Sequence, residues 1–428
     1  MLRKIAASTL VIAFAFLASS LQPLSAENAA PPNLDKDKKK ELESLIQDYF
    51  NTTELSEQLK LIHKIRRFDP LNKSDFKKFK TFVWKLVAQR PKPDKVKGTL
   101  QVKSPFGETQ VIVSGSAHPK NGGIFLGLHG GGAGSGDGSA AAGIYGGMQN
   151  CVSLFPTAIN KIDNAWNDPP QERFLIWLLK YIRRASPCNT NRIYVGGHSM
   201  GGHGAYGQLL QYADIYAAGM PSAGNPLVED TADHYGDARK LAENLYNTGI
   251  YFMHSKDDPR VAYEPVRLWA EALKKLKKDH PDGYDYVFSE YEDIGHDLPK
   301  EGIKTLMDWC WKHVRNPYPK TIRWQMYRPW KRHFYWLYCY QPERLQLIVG
   351  EMPEQNTFKV TCKDYMGKLS VMMNEEFVDF DKPVAITVNG KEVFNSLPSY
   401  SISALVSSVD EYEDPAMEFT SRVDFEVP

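Results

Sequence analysis

Two hydrophobic rhythms follow one another along the chain. Over 39–50, 55–67 and 74–89 apolar residues recur every three or four positions, the spacing that gathers side chains on one helix face. Leu59, Leu61, Ile62 and Ile65 form one such stripe, and Phe76, Phe79, Phe82, Val83 and Leu86 another. Asn51-Thr52-Thr53 and Phe68-Asp69-Pro70 interrupt the pattern with capping and helix-ending residues. A small helical region over 27–95 is predicted, entered through a Pro- and Lys-rich tether at 27–40. Its stripes are expected to pack on the protein's own core, as most amphipathic helices do.

From Lys97 the period shortens. Residues 98–103 and 109–114 alternate like two hairpin strands around Pro105-Phe106-Gly107. Short apolar runs at 123–128, 152–155, 192–196, 249–254 and 286–291 predict further strands. Between them, 171–184, 202–211, 231–246 and 263–278 carry helical spacing. Such alternation predicts an α/β unit over 96–316, a mostly parallel, doubly wound sheet with helices on both faces. Pro317 and Pro319 mark a boundary. Beyond them, runs at 334–340, 344–350, 357–363, 368–374 and 384–389, with a hairpin signal at Asn389-Gly390, predict a C-terminal antiparallel β domain over 323–428.

The first residues read differently. Arg3 and Lys4 precede an apolar run over 5–17, and small residues follow, with cleavage points after Ser20 and after Ala26. This is the pattern of a secretory signal peptide over 1–26. The apolar run falls short of the roughly 20 residues a membrane span requires. The expectation is a secreted or periplasmic protein with no stable membrane span once the leader is removed.

Composition narrows the function classes. The chain of 428 residues has 52 basic and 51 acidic residues, a formal charge of +1, which gives no electrostatic basis for nucleic-acid binding. Five cysteines are too few for a disulfide scaffold. No Cys-x-x-Cys pair or His-Glu-x-x-His helix occurs, so a structural or catalytic zinc site is not expected. Nothing in the composition sets the oligomeric state.

The candidate chemistry lies in Gly197-His198-Ser199-Met200-Gly201. A serine that attacks a carbonyl must stand clear of the sheet on a sharp strand-to-helix turn, and glycines two residues either side remove colliding side chains. The β-type run Arg192–Gly196 leads in, and Gly202-His203-Gly204-Ala205-Tyr206-Gly207 leads out with the small residues of a tightly packed helix start. His129-Gly130-Gly131-Gly132 follows the strand 124–128, where backbone N–H groups can receive an oxyanion. Gly130, Gly131 and Met200 are the candidate donors. A phosphate cradle competes for this loop. No Gly-Lys-Ser/Thr is present, however, and the weak dinucleotide fingerprint at 136–141 lies too far past the strand end.

An acid and a base should follow the serine in chain order. Asp258 lies in the loop after the apolar strand 250–254, with Asp257 as the alternative acid. His296, in Asp293-Ile294-Gly295-His296-Asp297, lies in the loop after the next strand. His198 and His203 are expected to pack locally. Trp166, beside Asn164 and Asn167, either lines an acyl or sugar pocket or is a core residue.

Together the serine, aspartate and histidine segments resemble the α/β-hydrolase superfamily of serine hydrolases. The run 191–206 is most similar to the esterase and prolyl-oligopeptidase-type members with a Gly-His-Ser-Met-Gly-Gly elbow. His254 to Val261 resembles their His-Gly-x-x-Asp-Pro-x-Val pattern, although Ser255 replaces the usual glycine. The resemblance covers roughly 97–315, and the latter part of the chain resembles extensions on exported bacterial hydrolases of this group. It implies acyl transfer by Ser199, with His296 as base and Asp258 as its orienting acid, a chemistry that needs no metal or organic cofactor. It implies a small-molecule or polysaccharide-linked carboxylic ester as substrate. A prolyl-oligopeptidase-type peptidase and a non-catalytic binding protein on the same fold are the alternatives. The aromatic and cationic run 324–340 is expected either to hold such a polymer or to pack as an interface.

Overall fold

Asp35 caps the first helix by accepting the Lys38 amide, and Asn72 caps the third by accepting that of Asp75, supplying acceptors that a helix start otherwise lacks. In this computed structural model, which describes residues 31–131, 135–228 and 234–428, these caps open α1 (Lys36–Asn51) and α3 (Lys73–Gln89), with α2 (Leu55–Ile65) between them. The leader expected at 1–26 lies outside the described residues. Leu42, Ile46, Phe76, Phe79 and Val83 turn inward from α1 and α3, and the apolar face they form is completed by Ile402, Leu405, Val406 and Val409 from near the other end of the chain.

The central sheet contains β1 (Gly98–Ser104), β2 (Gly107–Ser114), β3 (Gly123–Leu128), β4 (Cys151–Pro156), β5 (Ile193–His198), β6 (Ala218–Ser222), β7 (Gly249–Ser255) and β8 (Tyr286–Tyr291). Its order is β1-β2-β4-β3-β5-β6-β7-β8. β2 runs antiparallel to both neighbours, and β4 through β8 are mutually parallel. The helices α4 (Gly138–Tyr145), α5 (Pro169–Arg183), α6 (Met200–Tyr212), α7 (His234–Leu241) and α8 (Tyr263–Asp279) connect these strands, and α9 (Ile303–Trp311) follows the last of them. Alternate residues of β3 serve opposite faces. Ile124, Leu126 and Leu128 enter the main core, and Phe125 enters the core on the other side with Leu306 and Cys310 of α9, as the two-residue period of a strand requires. One antiparallel strand near the edge of this crossed-over parallel order is the sheet of the α/β-hydrolase fold.

Beyond Pro319 come β9 (Thr321–Gln325), β10 (His333–Phe334), β11 (Leu337–Cys339), β12 (Leu347–Glu354), β13 (Thr357–Cys362), β14 (Lys368–Met373), β15 (Val384–Val388), β16 (Lys391–Ser396), α10 (Ile402–Tyr412) and β17 (Ser421–Glu426). They form two sheets, β10-β11-β14-β17 and β16-β15-β13-β12-β9. Pairing is antiparallel except between β13 and β15. The run expected as one strand at 334–340 is instead a tight hairpin, because Tyr335 turns the chain at φ 51° between β10 and β11. The helix expected at 231–246 appears as α7 followed by 3-10 turns over Ala242–Asn247, with 231–233 outside the described residues. No helix among the described residues is long and apolar enough to cross a membrane.

The aromatic run at 324–340 is largely interior. Trp324, Phe334, Tyr335 and Trp336 are buried in the same continuous core as Leu128, Val195 and Trp269. Arg328 donates to Glu172 on α5 and to the Asn167 and Val228 carbonyls. This run is therefore an internal interface with the central sheet's helices, and it offers no open row of rings for sugar stacking.

Candidate active site

β5 ends at His198 and α6 starts at Met200, so one residue makes the whole strand-to-helix turn. That residue, Ser199, adopts φ 59° and ψ −122°, a region non-glycine residues avoid and that costs about 1–3 kcal/mol to hold. The flanking glycines make the turn possible. A Cβ on Gly197 would lie 1.9 Å from the Gly201 carbonyl oxygen, and one on Gly201 would lie 2.1 Å from the Leu128 carbonyl oxygen. The Ser199 amide donates to the Ser222 carbonyl at 3.0 Å, which ties the elbow to β6.

Ser199 Oγ lies 2.9 Å from His296 Nε2, and His296 Nδ1 lies 2.7 Å from Asp258 Oδ2. The three side chains come from loops at the carboxyl ends of β5, β7 and β8, where parallel strands leave their functional residues. Asp258 Oδ1 accepts the amides of Arg260 and Val261 at 2.8 and 2.9 Å. Burial alone would raise the Asp258 carboxyl, but the hydrogen bonds from His296, Val261 and Arg260 bring it below the usual range. It is an anion fixed in place, with one oxygen facing the imidazole.

Asp257 does not reach His296. It is exposed, accepts from Ser255 Oγ, and accepts the Gly295 amide at 2.8 Å. Its place is one residue before the histidine, bracing the loop that carries it. The sequence weighed Asp257 only as a rival acid. This bracing had no local signal, because Gly295 lies 38 residues away.

On the opposite side of Ser199, a Cβ on Gly130 would sit 3.2 Å from Ser199 Cβ and 3.0 Å from the His198 carbonyl oxygen. Only a glycine backbone approaches the serine so closely. Gly131 follows at φ 82°, where a Cβ would strike Ser135 Oγ, and Gly132 lies outside the described residues. Met200 opens α6, so its amide has no acceptor within the helix. The backbone of Gly130 and the first residue of α6, Met200, therefore both lie beside Ser199. His129 holds the loop in shape. The Ala158 amide donates to its Nε2 at 3.1 Å, so Nδ1 carries the hydrogen given to the Gly130 carbonyl at 2.8 Å.

Trp166 is wholly buried, and its indole N–H donates to the His129 carbonyl at 2.9 Å. Its ring meets the His129 ring edge-on at 4.9 Å. Of the two places the sequence left open for it, the structure gives the core; it braces the glycine loop from behind. The 136–141 segment is likewise structural, since Asp137 caps α4 by accepting the Ser139 and Ala140 amides.

His198 and His203 pack locally, as expected. The Ser222 hydroxyl donates to the Gly197 carbonyl and receives His198 Nδ1 at 3.2 Å, while His203 Nδ1 donates to Asn164 Oδ1 at 2.8 Å. Burial holds each of them down to about 4, so both rings are neutral at pH 7. His254 is buried beside the acid, donating through Nε2 to the Val261 carbonyl at 2.9 Å. Ser222 and Asn164 had no sequence motif to announce them. Among the described residues no cluster of His, Cys, Asp and Glu is arranged to hold a metal.

The α/β-hydrolase sheet with a serine, a histidine and an aspartate in contact at its carboxyl edge is the class that fold and geometry define. Among solved structures, the chain is similar to a thermostable esterase at 18% identity, with a TM-score of 0.40, covering 51% of this chain and 63% of the esterase. It is similar to fluorophosphonate-binding serine hydrolase F of Staphylococcus aureus at 16% identity, with a TM-score of 0.38, covering 50% of this chain and 97% of that one. Dipeptidyl peptidase 4 of Porphyromonas gingivalis matches at 15% identity and a TM-score of 0.36, over 53% of this chain and 36% of the peptidase. No family model and no curated protein matches the chain.

Proposed function

We propose that the protein is a serine hydrolase that cleaves carboxylic esters through an acyl-enzyme. The observation that carries this is the position of His296, in contact with Ser199 Oγ on one nitrogen and with the Asp258 anion on the other. In this reading His296 Nε2 takes the serine proton as Oγ bonds to the carbonyl carbon, and the carbonyl oxygen becomes an oxyanion received by the Gly130 and Met200 amides. His296 then gives the proton to the leaving alcohol. Water repeats the sequence and releases the acid. Asp258 holds the imidazole in the tautomer that accepts from serine and stabilises its charged form. The signal-peptide pattern in the sequence of 1–26 supports an exported enzyme. With the run at 324–340 interior, small carboxylic esters are the first substrates to test.

A panel of chromogenic acyl esters, acetyl-xylan and a peptidyl-prolyl amide, run beside labelling with a fluorophosphonate, tests the reading. The expected result is ester turnover with the label on Ser199. Faster cleavage of the amide would replace the esterase reading with the peptidase one. Absence of both turnover and label would leave a binding protein on a hydrolase fold.

A further inference from the structure

A groove of about 1040 Å³ lies between the N-terminal helices, α5 and the 330–333 segment. It is lined by none of Ser199, Asp258, His296 or the glycine loop. We propose that this groove is a second binding site, for an amphipathic carboxylate: an apolar acyl or aryl body carrying one acid group.

One wall is apolar. Phe50, Leu59, Ile62 and Leu86 line it, and the last three are only half-buried, left by α2 and α3 facing the groove. The opposite wall is cationic. The guanidinium of Arg173 lies over Phe106 at 5.0 Å and over Trp330 at 5.7 Å. No hydrogen bond among the described residues uses its N–H donors, a forked set that suits a carboxylate. Arg332 lines the same wall, and its buried Nε has no hydrogen-bond partner among the described residues. Beside it His333 is buried with Nδ1 equally unpartnered.

The acids of the groove do not neutralise these two arginines. Asp410 pairs with Arg90 at 2.6 Å, Glu413 with Arg90 and Arg184 at 2.6 Å, and Glu411 with Lys331 at 3.1 Å. Lys180 donates to the Asp410 carbonyl at 2.7 Å. At the rim Lys103 pairs with Glu108, and Glu54 is exposed beside Leu55. Arg173 and Arg332 have no carboxylate within 4.0 Å among the described residues. Two unmatched arginines facing half-buried aliphatic side chains specify an anion on an apolar body. The volume stands at the upper end of small-molecule sites, which run to roughly 1,000 Å³.

The proposal is independent of the role of Ser199. Octanoate titrated into the full-length protein, followed by calorimetry and tryptophan emission, tests it. Saturable binding is expected, weakened at least tenfold in Arg173→Gln and in Arg332→Gln, with turnover of a small chromogenic ester by Arg173→Gln within twofold of the parent. Arg173 is exposed, so its variant is tested even if Arg332→Gln folds poorly. Four results would each overturn the proposal: no saturable octanoate binding, an affinity unchanged in Arg173→Gln, equal affinity for 1-octanol, or tighter binding of glucuronate than of octanoate.

Discussion

Ser199 has a small side chain whose hydroxyl bonds to His296, so removing that hydroxyl should leave the fold intact. Ser199→Ala is expected to lower ester turnover by roughly a thousandfold or more, as loss of a triad nucleophile does, while the melting temperature stays within a few degrees. The two adjacent aspartates should separate by their different contacts. Asp258→Asn removes the anion facing His296 and is expected to cost on the order of a thousandfold in kcat/KM. Asp257→Asn weakens the bonds from Ser255 Oγ and the Gly295 amide without touching His296 and should cost about tenfold, measured on the same substrate. A reversed order would move the acid to Asp257. The serine, aspartate and histidine were readable because each lies in a short loop after an apolar strand, in the chain order this chemistry uses. The contacts of Ser222, Asn164 and Trp166 were not, because each is made to a residue at least 24 positions away in sequence.

At the level of elements, α6 is a helix selected for closeness. A Cβ on Gly204 would sit 2.3 Å from Trp166 Cβ, and one on Gly207 would sit 1.9 Å from Asn167 Oδ1. Gly204→Ala is therefore expected to destabilise the protein by about 1–3 kcal/mol in urea unfolding, the usual cost of overpacking. It should also lower kcat, since Trp166 carries the His129 carbonyl that shapes the glycine loop. The run of small residues after the serine predicted this tight packing without naming what lies against it. Other elements escaped the pattern for identifiable reasons. β6, Ala218-Gly219-Met220-Pro221-Ser222, contains the glycine and proline that normally argue against a strand. α10 carries a short stripe at helical spacing, Ile402, Leu405, Val406 and Val409, but it lies in a segment otherwise rich in strands, where so short a run does not stand out.

For the molecule as a whole, ion pairs join parts distant in sequence. Arg184 meets Glu413 through two bonds, Nε to Oε2 at 2.7 Å and Nη2 to Oε1 at 2.6 Å. Burial alone would raise Glu413, but the Arg184 hydrogen bond and the charges of Lys180, Arg184 and Arg90 bring it from an ordinary 4.5 to about 2. A carboxyl depressed on folding stabilises fully above its unfolded value and loses that contribution as pH falls through the folded one. Between about pH 4.5 and 2 the protein should therefore lose on the order of 3 kcal/mol from this group. Glu413→Gln should flatten the fall in denaturant midpoint over that window. A chain ending near Tyr318 is expected to aggregate and to lose activity on small and polymeric esters alike, checked by sedimentation and turnover. It would expose the helices packed on Trp324 and Trp336 and leave Glu172 without Arg328.

The core shared by α1, α3 and α10 also has a consequence for the order of events at the ribosome. The helices made first cannot cover their apolar faces until α10 has emerged; Tyr49 and its partner Asp410, for example, are 361 residues apart. Contacts of such separation form late, because a long loop must close first. Until that closure the inward faces of α1 and α3 lack the apolar cover that α10 gives them in the fold.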